Sequence, residues 1–175
     1  PAYQGTSKYL LLSKYNDYAG IGGSGINKLA LLDPNDTMTD PVSGASVMKE
    51  ILTIAGPTPD QDYPAVPGAV REWCVNTVAV DPAKHSAIVH NEDGKIYRWD
   101  FHTNTLIEPV TLTPGLGEAY TPSAIGMDGT VYVMSGFRGN ALLAIRLDKA
   151  AGDITDSPEA IVWRHGKNTP YVPSP

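Results

Sequence analysis

CVNTVAVDPAKHSAIVHNEDGKIYRWDFHTNTLIEPVTL, the stretch from Cys74 to Leu112, decides how the whole chain is read. It holds four short β-type runs: Cys74–Val80, Ser86–His90, Lys95–Asp100 and Thr105–Leu112. Between them stand turns with strong breaker chemistry, Asp81-Pro82, Glu92-Asp93-Gly94 and Thr103-Asn104. Four short strands joined by tight turns in about 40 residues are the size and grammar of one β-propeller blade. The spacing predicts an all-β chain.

A second copy of the plan follows. Pro122–Met127 repeats the small-residue strand that ends in an aspartate turn, and Asp128-Gly129 supplies the turn. Thr130–Ser135 alternates cleanly, Ala141–Leu147 is a third strand, and Glu159–His165 is a fourth. VNTVAVDP stands beside TPSAIGMDG and GKIYRWD beside NALLAIRL, a period of about 45 residues. Upstream, Tyr9–Tyr15 and Asn27–Leu32 read as strands flanking the Gly-rich loop Asn16–Gly25. Asp33–Val47 reads as a polar loop and Met48–Ala55 as a further strand. Alternation is imperfect, as in sheets covered on both faces, and no segment carries a capped helical period.

The expected blades run from about 1 to 57, 70 to 113 and 117 to 165, with 169–175 opening a further inner strand. The first blade keeps only Pro1–Gly5 of its innermost strand, and TPYVPSP at Thr169–Pro175 looks like the start of another. About three blades cannot close a ring that usually takes four to eight. Two outcomes are expected: a second copy completes six blades in a homodimer, or the chain belongs to a longer propeller.

Composition sets the outer limits. The 175 residues suffice for a domain with a core, and 42% hydrophobic with 18% charged residues is globular rather than disordered. A net charge of -6 without a Lys/Arg cluster argues against a nucleic-acid partner. The single cysteine, Cys74, rules out an internal disulfide and a cysteine-based zinc site, and its apolar setting predicts a buried, inert thiol. No apolar run approaches the roughly 20 residues of a membrane-spanning helix, and no signal peptide opens the chain.

The run from Ser135 to Pro175, SGFRGNALLAIRLDKAAGDITDSPEAIVWRHGKNTPYVPSP, resembles the quinoprotein-like (PQQ-like) β-propeller repeat proteins of bacteria. There, a strand of the LxAIR type leads through a Gly/Asp-rich turn to a strand ending in tryptophan, here Trp163. Residues 1 to about 134 resemble a bacterial propeller protein of uncharacterised function, with YRWD and DGTVY as repeat marks. The resemblance implies the fold and a periplasmic or secreted bacterial setting, with Trp99 and Trp163 docking between blades. It does not carry a cofactor: the paired cysteines of PQQ-dependent dehydrogenases are absent, so none is expected.

Individual motifs yield little chemistry. GIGGSG at Gly20–Gly25 satisfies G-x-G-x-x-G but precedes a strand instead of a helix, and is read as a flexible loop. Asp33, Asn35 and Asp36 carry oxygens suited to calcium, yet Met38 and Gly44 stand where a calcium loop needs glycine and an acid. Asp153 and Asp156 are read the same way, as solvated turn carboxylates. His85, His90, His102 and His165 lack metal spacing and are expected to be exposed or capping, and no G-x-S-x-G elbow exists.

The best constellation is at the expected channel mouth. Arg71, Glu72 and Trp73 precede one inner strand, Glu118 and Tyr120 the next, and Asn168 and Tyr171 the last. Rings there would stack on a sugar or peptide while carboxylates accept hydrogen bonds. Against this, the acids pair with Arg71 or backbone amides and the rings seal blade junctions. The chain is therefore expected to be a non-enzymatic scaffold or interaction module, binding a glycan or protein. The alternative is a glycosidase-like or quinoprotein-like enzyme using Glu72 and Glu118, whose separation would discriminate. A third reading is an engineered or recombined half-propeller with no native function.

Overall fold

The computed structural model describes residues 10–75, 78–112, 123–135 and 141–169. It is all-β, with antiparallel sheets and two single 3-10 turns, Ala19–Ile21 and Leu147–Lys149. Among the described residues no helix is long and apolar enough to cross a membrane. The chain divides into two compact units. One takes the residues up to Glu72 with Phe101–Asn104, and the other takes Trp73–Asp100 with the residues from Thr105 onward.

In the first unit, β1 (Leu11–Tyr15), β2 (Lys28–Thr39) and β3 (Ser46–Ala55) form a three-stranded sheet in the order β1-β2-β3. Leu29, Ala30 and Leu31 of the central strand are buried on both faces, which explains why NKLALL lacks alternation. The polar loop expected over Asp33–Val47 is instead a hairpin arm. β2 runs on to Thr39 and pairs Thr37, Met38 and Thr39 with Met48, Val47 and Ser46, after an irregularity between Asp33 and Thr37. Polar residues misled the sequence reading because a two-stranded arm beyond the core has no apolar face to display. Its turn is built by Asp40, whose carboxylate accepts from Ser43 and from the backbone of Val42 and Ser43.

The Gly-rich loop of this unit is organised, not loose. Asp17 Oδ2 accepts from Ser24 N at 2.8 Å and Ser24 Oγ at 2.7 Å. Buried Asn27 accepts from Asp17 N at 2.9 Å and donates to the Val70 carbonyl at 2.8 Å, tying the loop to the Pro-rich segment. Gly25, at φ +75°, lets that segment close in: a Cβ here would stand 2.7 Å from the Ala69 Cβ.

The second unit stacks two sheets. The first contains β4 (Ala79–Asp81), β5 (Ser86–Asn91), β6 (Lys95–Asp100) and β7 (Thr105–Thr111) as an antiparallel meander. The second holds β8 (Ala124–Ile125), β9 (Thr130–Ser135), β10 (Ala141–Arg146) and β12 (Ile161–His165). Four-stranded sheets were expected, but the first has five strands. β11 (Gly152–Asp153), from the connection between β10 and β12, lies parallel along the outer edge of β7. Of the inner strand expected over Cys74–Val80, Ala79 and Val80 pair with β5 in a ladder that runs on to Asp81, and Cys74 N donates to the His90 carbonyl at 3.0 Å.

The core lies between these sheets. Ile88, Ile96 and Val110 of one meet Val131, Val133, Leu143 and Ile145 of the other, and Leu147, Ile154 and Ala160 close the rim. Strand β5 is buried along its whole length, since Ala87 and Val89 on its opposite face are withdrawn as well. Removing side chains of this size from water is the main force holding the sheets together, each contributing about 1.5–3 kcal/mol.

A candidate binding cleft at the turn end of the second unit

Strand direction places two turns at the same end of the stacked sheets. The β4–β5 turn, Pro82–His85, and the β8–β9 turn, Gly126–Gly129, flank the end of β10, and together they enclose a cleft of about 860 Å³. This end is opposite the one where the connections preceding the inner strands were expected to gather ligand-binding residues.

Arg98 stands at the inner wall. Its place in the middle of β6 buries the side chain, and three groups compensate the charge. Nη1 donates to Asp81 Oδ2 at 3.0 Å and Ser86 Oγ at 2.7 Å, and Nε donates to Glu108 Oε2 at 2.8 Å. Glu108 reaches it because the β6–β7 ladder is irregular between Ile96 and Arg98 and Glu108 takes φ +52°. A non-glycine residue in the left-handed region costs about 1 kcal/mol or more, which the charge-assisted hydrogen bond offsets.

At the outer wall, Arg146 Nη2 lies 3.4 Å from Asp148 Oδ2. Asp128 receives Thr130 N and Thr130 Oγ1, both at 3.0 Å. Those two hydrogen bonds, with the field of Arg146, hold its carboxyl below the usual range. Arg98 and Arg146 are thus matched by carboxylates, Lys84 and Thr130 add polar groups, and the aliphatic part of the lining includes exposed Val80, Met127 and Val162. Among the described residues no aromatic ring lines this cleft, whose three Lys/Arg and three Asp side chains stand beside aliphatic groups.

The residues expected at the channel mouth are placed as follows. Arg71 is buried and bound to Asp60 Oδ1 at 3.1 Å and Asp62 Oδ2 at 2.8 Å, both within the first unit. Glu72 accepts from Asn16 Nδ2 at 3.2 Å. Trp73 is fully buried, bridged to Asn91, with its ring edge-on to Tyr97 at 6.4 Å between centroids. Tyr97 in turn donates to Asp93 Oδ2 at 2.5 Å. Glu118, Tyr120 and Tyr171 lie outside the described residues.

Of the calcium candidates, Asp33 is buried and accepts from Asn35 N at 2.9 Å, and Asp36 pairs with Lys49 at 2.6 Å. Among the described residues no group of three or more His, Cys, Asp or Glu comes together to hold a metal. Asp153 accepts from Thr155 N and Oγ1, an Asx turn that shapes the entry from β11.

One histidine departs from expectation. His90 was read as exposed or capping, but it is 1% exposed, and neither ring nitrogen has a hydrogen-bond partner among the described residues. It shares the core-facing side of β5 with Ile88, and burial pushes its pKa down to about 4, so the ring is neutral. Ser123 Oγ, just before β8, is likewise buried without a partner among the described residues.

Sequence reasoning passed over Arg98, Asp81, Asp128 and Arg146. The usable signal was an arginine inside the buried strand KIYRWD, together with aspartate turns recurring at the same point of two repeats. Comparison of the chain with protein-family models and with curated proteins finds no match to either.

Proposed function

We propose that the chain is a non-enzymatic binding module built of β-propeller blades of the quinoprotein-like type, completed to a ring by a second copy. One observation carries the reading: the two sheets of the second unit stack face to face with β4 and β8 neighbouring, as inner strands of successive blades do. The first unit supplies three further strands of the same antiparallel order.

A protein segment is the ligand that suits the cleft. Its aliphatic walls take an apolar side chain, and the exposed Arg146–Asp148 pair offers charges for backbone and polar groups. For the enzyme alternative, Glu72 accepts one hydrogen bond from Asn16 at 3.2 Å, and Glu118, its expected partner, lies outside the described residues.

Sedimentation equilibrium with small-angle scattering tests the proposal. The expected result is a particle of twice the chain's 18.7 kDa with the profile of a short, perforated disc. A compact monomer at all concentrations, or an elongated dimer without a central minimum in density, would overturn it.

A further inference from the structure

The outer edge of β7 is closed by β11, a two-residue strand donated from the connection between the third and fourth strands of the next sheet. The outer edge of β12 has no such cover among the described residues: β12 is the terminal strand of its sheet, with Val162, Trp163 and Arg164 exposed along it. Val162 also stands in a bulge, with no register partner on β10, between Ile161 and Trp163, which do have partners. An open edge of this kind is a template for another strand.

The first sheet carries a donor at the place equivalent to that of β11. Its hairpin arm lies between the strands β2 and β3, as β11 lies between β10 and β12. Residues 41–50 are exposed throughout, Val42, Val47 and Met48 among them. Ser46–Met48 opens β3 as β11 precedes β12, and runs in the sense of the last strand of its sheet, as β11 does beside β7. The arm is stiffened by the Asp36–Lys49 ion pair and the Asp40 turn, so little ordering remains to be done on docking.

We infer that the β2–β3 arm of one copy docks on the β12 edge of a second copy, with Ser46–Met48 adding as a short parallel strand. Val42 and Met48 then cover the aliphatic surface around Val162. This rests on the half-ring reading and names the contact that joins its halves.

The test uses the full chain. Val162→Pro places a proline ring on the exposed β12 edge, at a position with no register partner in its own sheet. Replacing residues 34–48 by Asn-Gly removes the arm and closes the hairpin from Asp33 to Lys49, positions already paired. Each change is expected to weaken dimerisation by about tenfold or more, with the far-UV circular dichroism of the rest retained. Independently, separately purified Ser46→Cys and Val162→Cys chains, mixed and oxidised, are expected to form a disulfide-linked heterodimer. Both positions are exposed while Cys74 is buried, so folding is not at stake. A dimer indifferent to both changes and without the cross-link overturns this contact and leaves the half-ring standing. A monomer at every concentration overturns both.

Discussion

Arg98 and Asp81 form an ion pair at 3.0 Å, with side chains 3% and 12% exposed, inside the second unit. The same guanidinium binds Ser86 and Glu108, so one cation ties β4, β5, β6 and β7 together. Replacing it leaves buried carboxylate charge without a partner. Arg98→Ala is expected to destabilise the fold by about 3–5 kcal/mol, read from the urea midpoint. Asp81→Asn, which keeps a hydrogen-bond acceptor, costs less; an equal loss from both would contradict the assignment of Arg98 as the hub.

His90 makes stability depend on pH. Its folded pKa of about 4 lies below the ordinary 6.5, so between these values the unfolded chain binds a proton that the folded chain refuses. Stability is fully present above about pH 6.5, falls as pH drops toward about 4, and loses about 3 kcal/mol in all. His90→Leu removes that slope. Denaturation series at several pH values with both proteins check it, and an unchanged slope in the variant would assign the dependence elsewhere.

Tyr97→Phe deletes the hydroxyl that donates to Asp93 beside the buried Trp73 ring. The expected cost is about 1.5–3 kcal/mol, the range for a hydrogen bond to a charged group. Near-ultraviolet circular dichroism should change with it, because Trp73 packs edge-on to that ring.

Gly25→Ala is expected to destabilise the first unit by about 1–3 kcal/mol. The new methyl meets Ala69 at 2.7 Å and the backbone sits at φ +75°, so space and conformation both oppose it. Thermal unfolding of the variant provides the measurement; a Tm equal to that of the parent would show that the Pro-rich segment can yield.

Three tryptophans report on different places. Trp73 and Trp99 are fully buried, whereas Trp163 is 42% exposed beside Tyr132, at 6.1 Å between ring centroids. Acrylamide should quench one accessible class of fluorescence, and Trp163→Phe should abolish it. If a second copy covers this sheet, quenching falls as protein concentration rises.

Much of the strand order was legible because each turn carries its own chemistry. Asp93 and Gly94 close β5 to β6 through side-chain acceptance at Lys95 N and a glycine at φ +79°, and nothing distant is needed. The arm over Asp33–Val47 was missed because pairing between two exposed strands leaves no apolar period. The site was missed for another reason. Arg98, Asp128 and Arg146 are far apart in sequence and become neighbours only when two sheets stack, and the buried setting of His90 follows from the same stacking.

By itself the sequence determined the all-β class, the positions of most strands and the absence of a disulfide, since these depend on local turn chemistry, short-range periodicity and residue counts. Tertiary structure decided that β11 crosses to the edge of β7, that the hub at Arg98 is neutralised, and that the cleft lies at the turn end. Those outcomes depend on which surfaces meet, and a charge in a strand gains its meaning only from the partner that burial brings within about 3 Å.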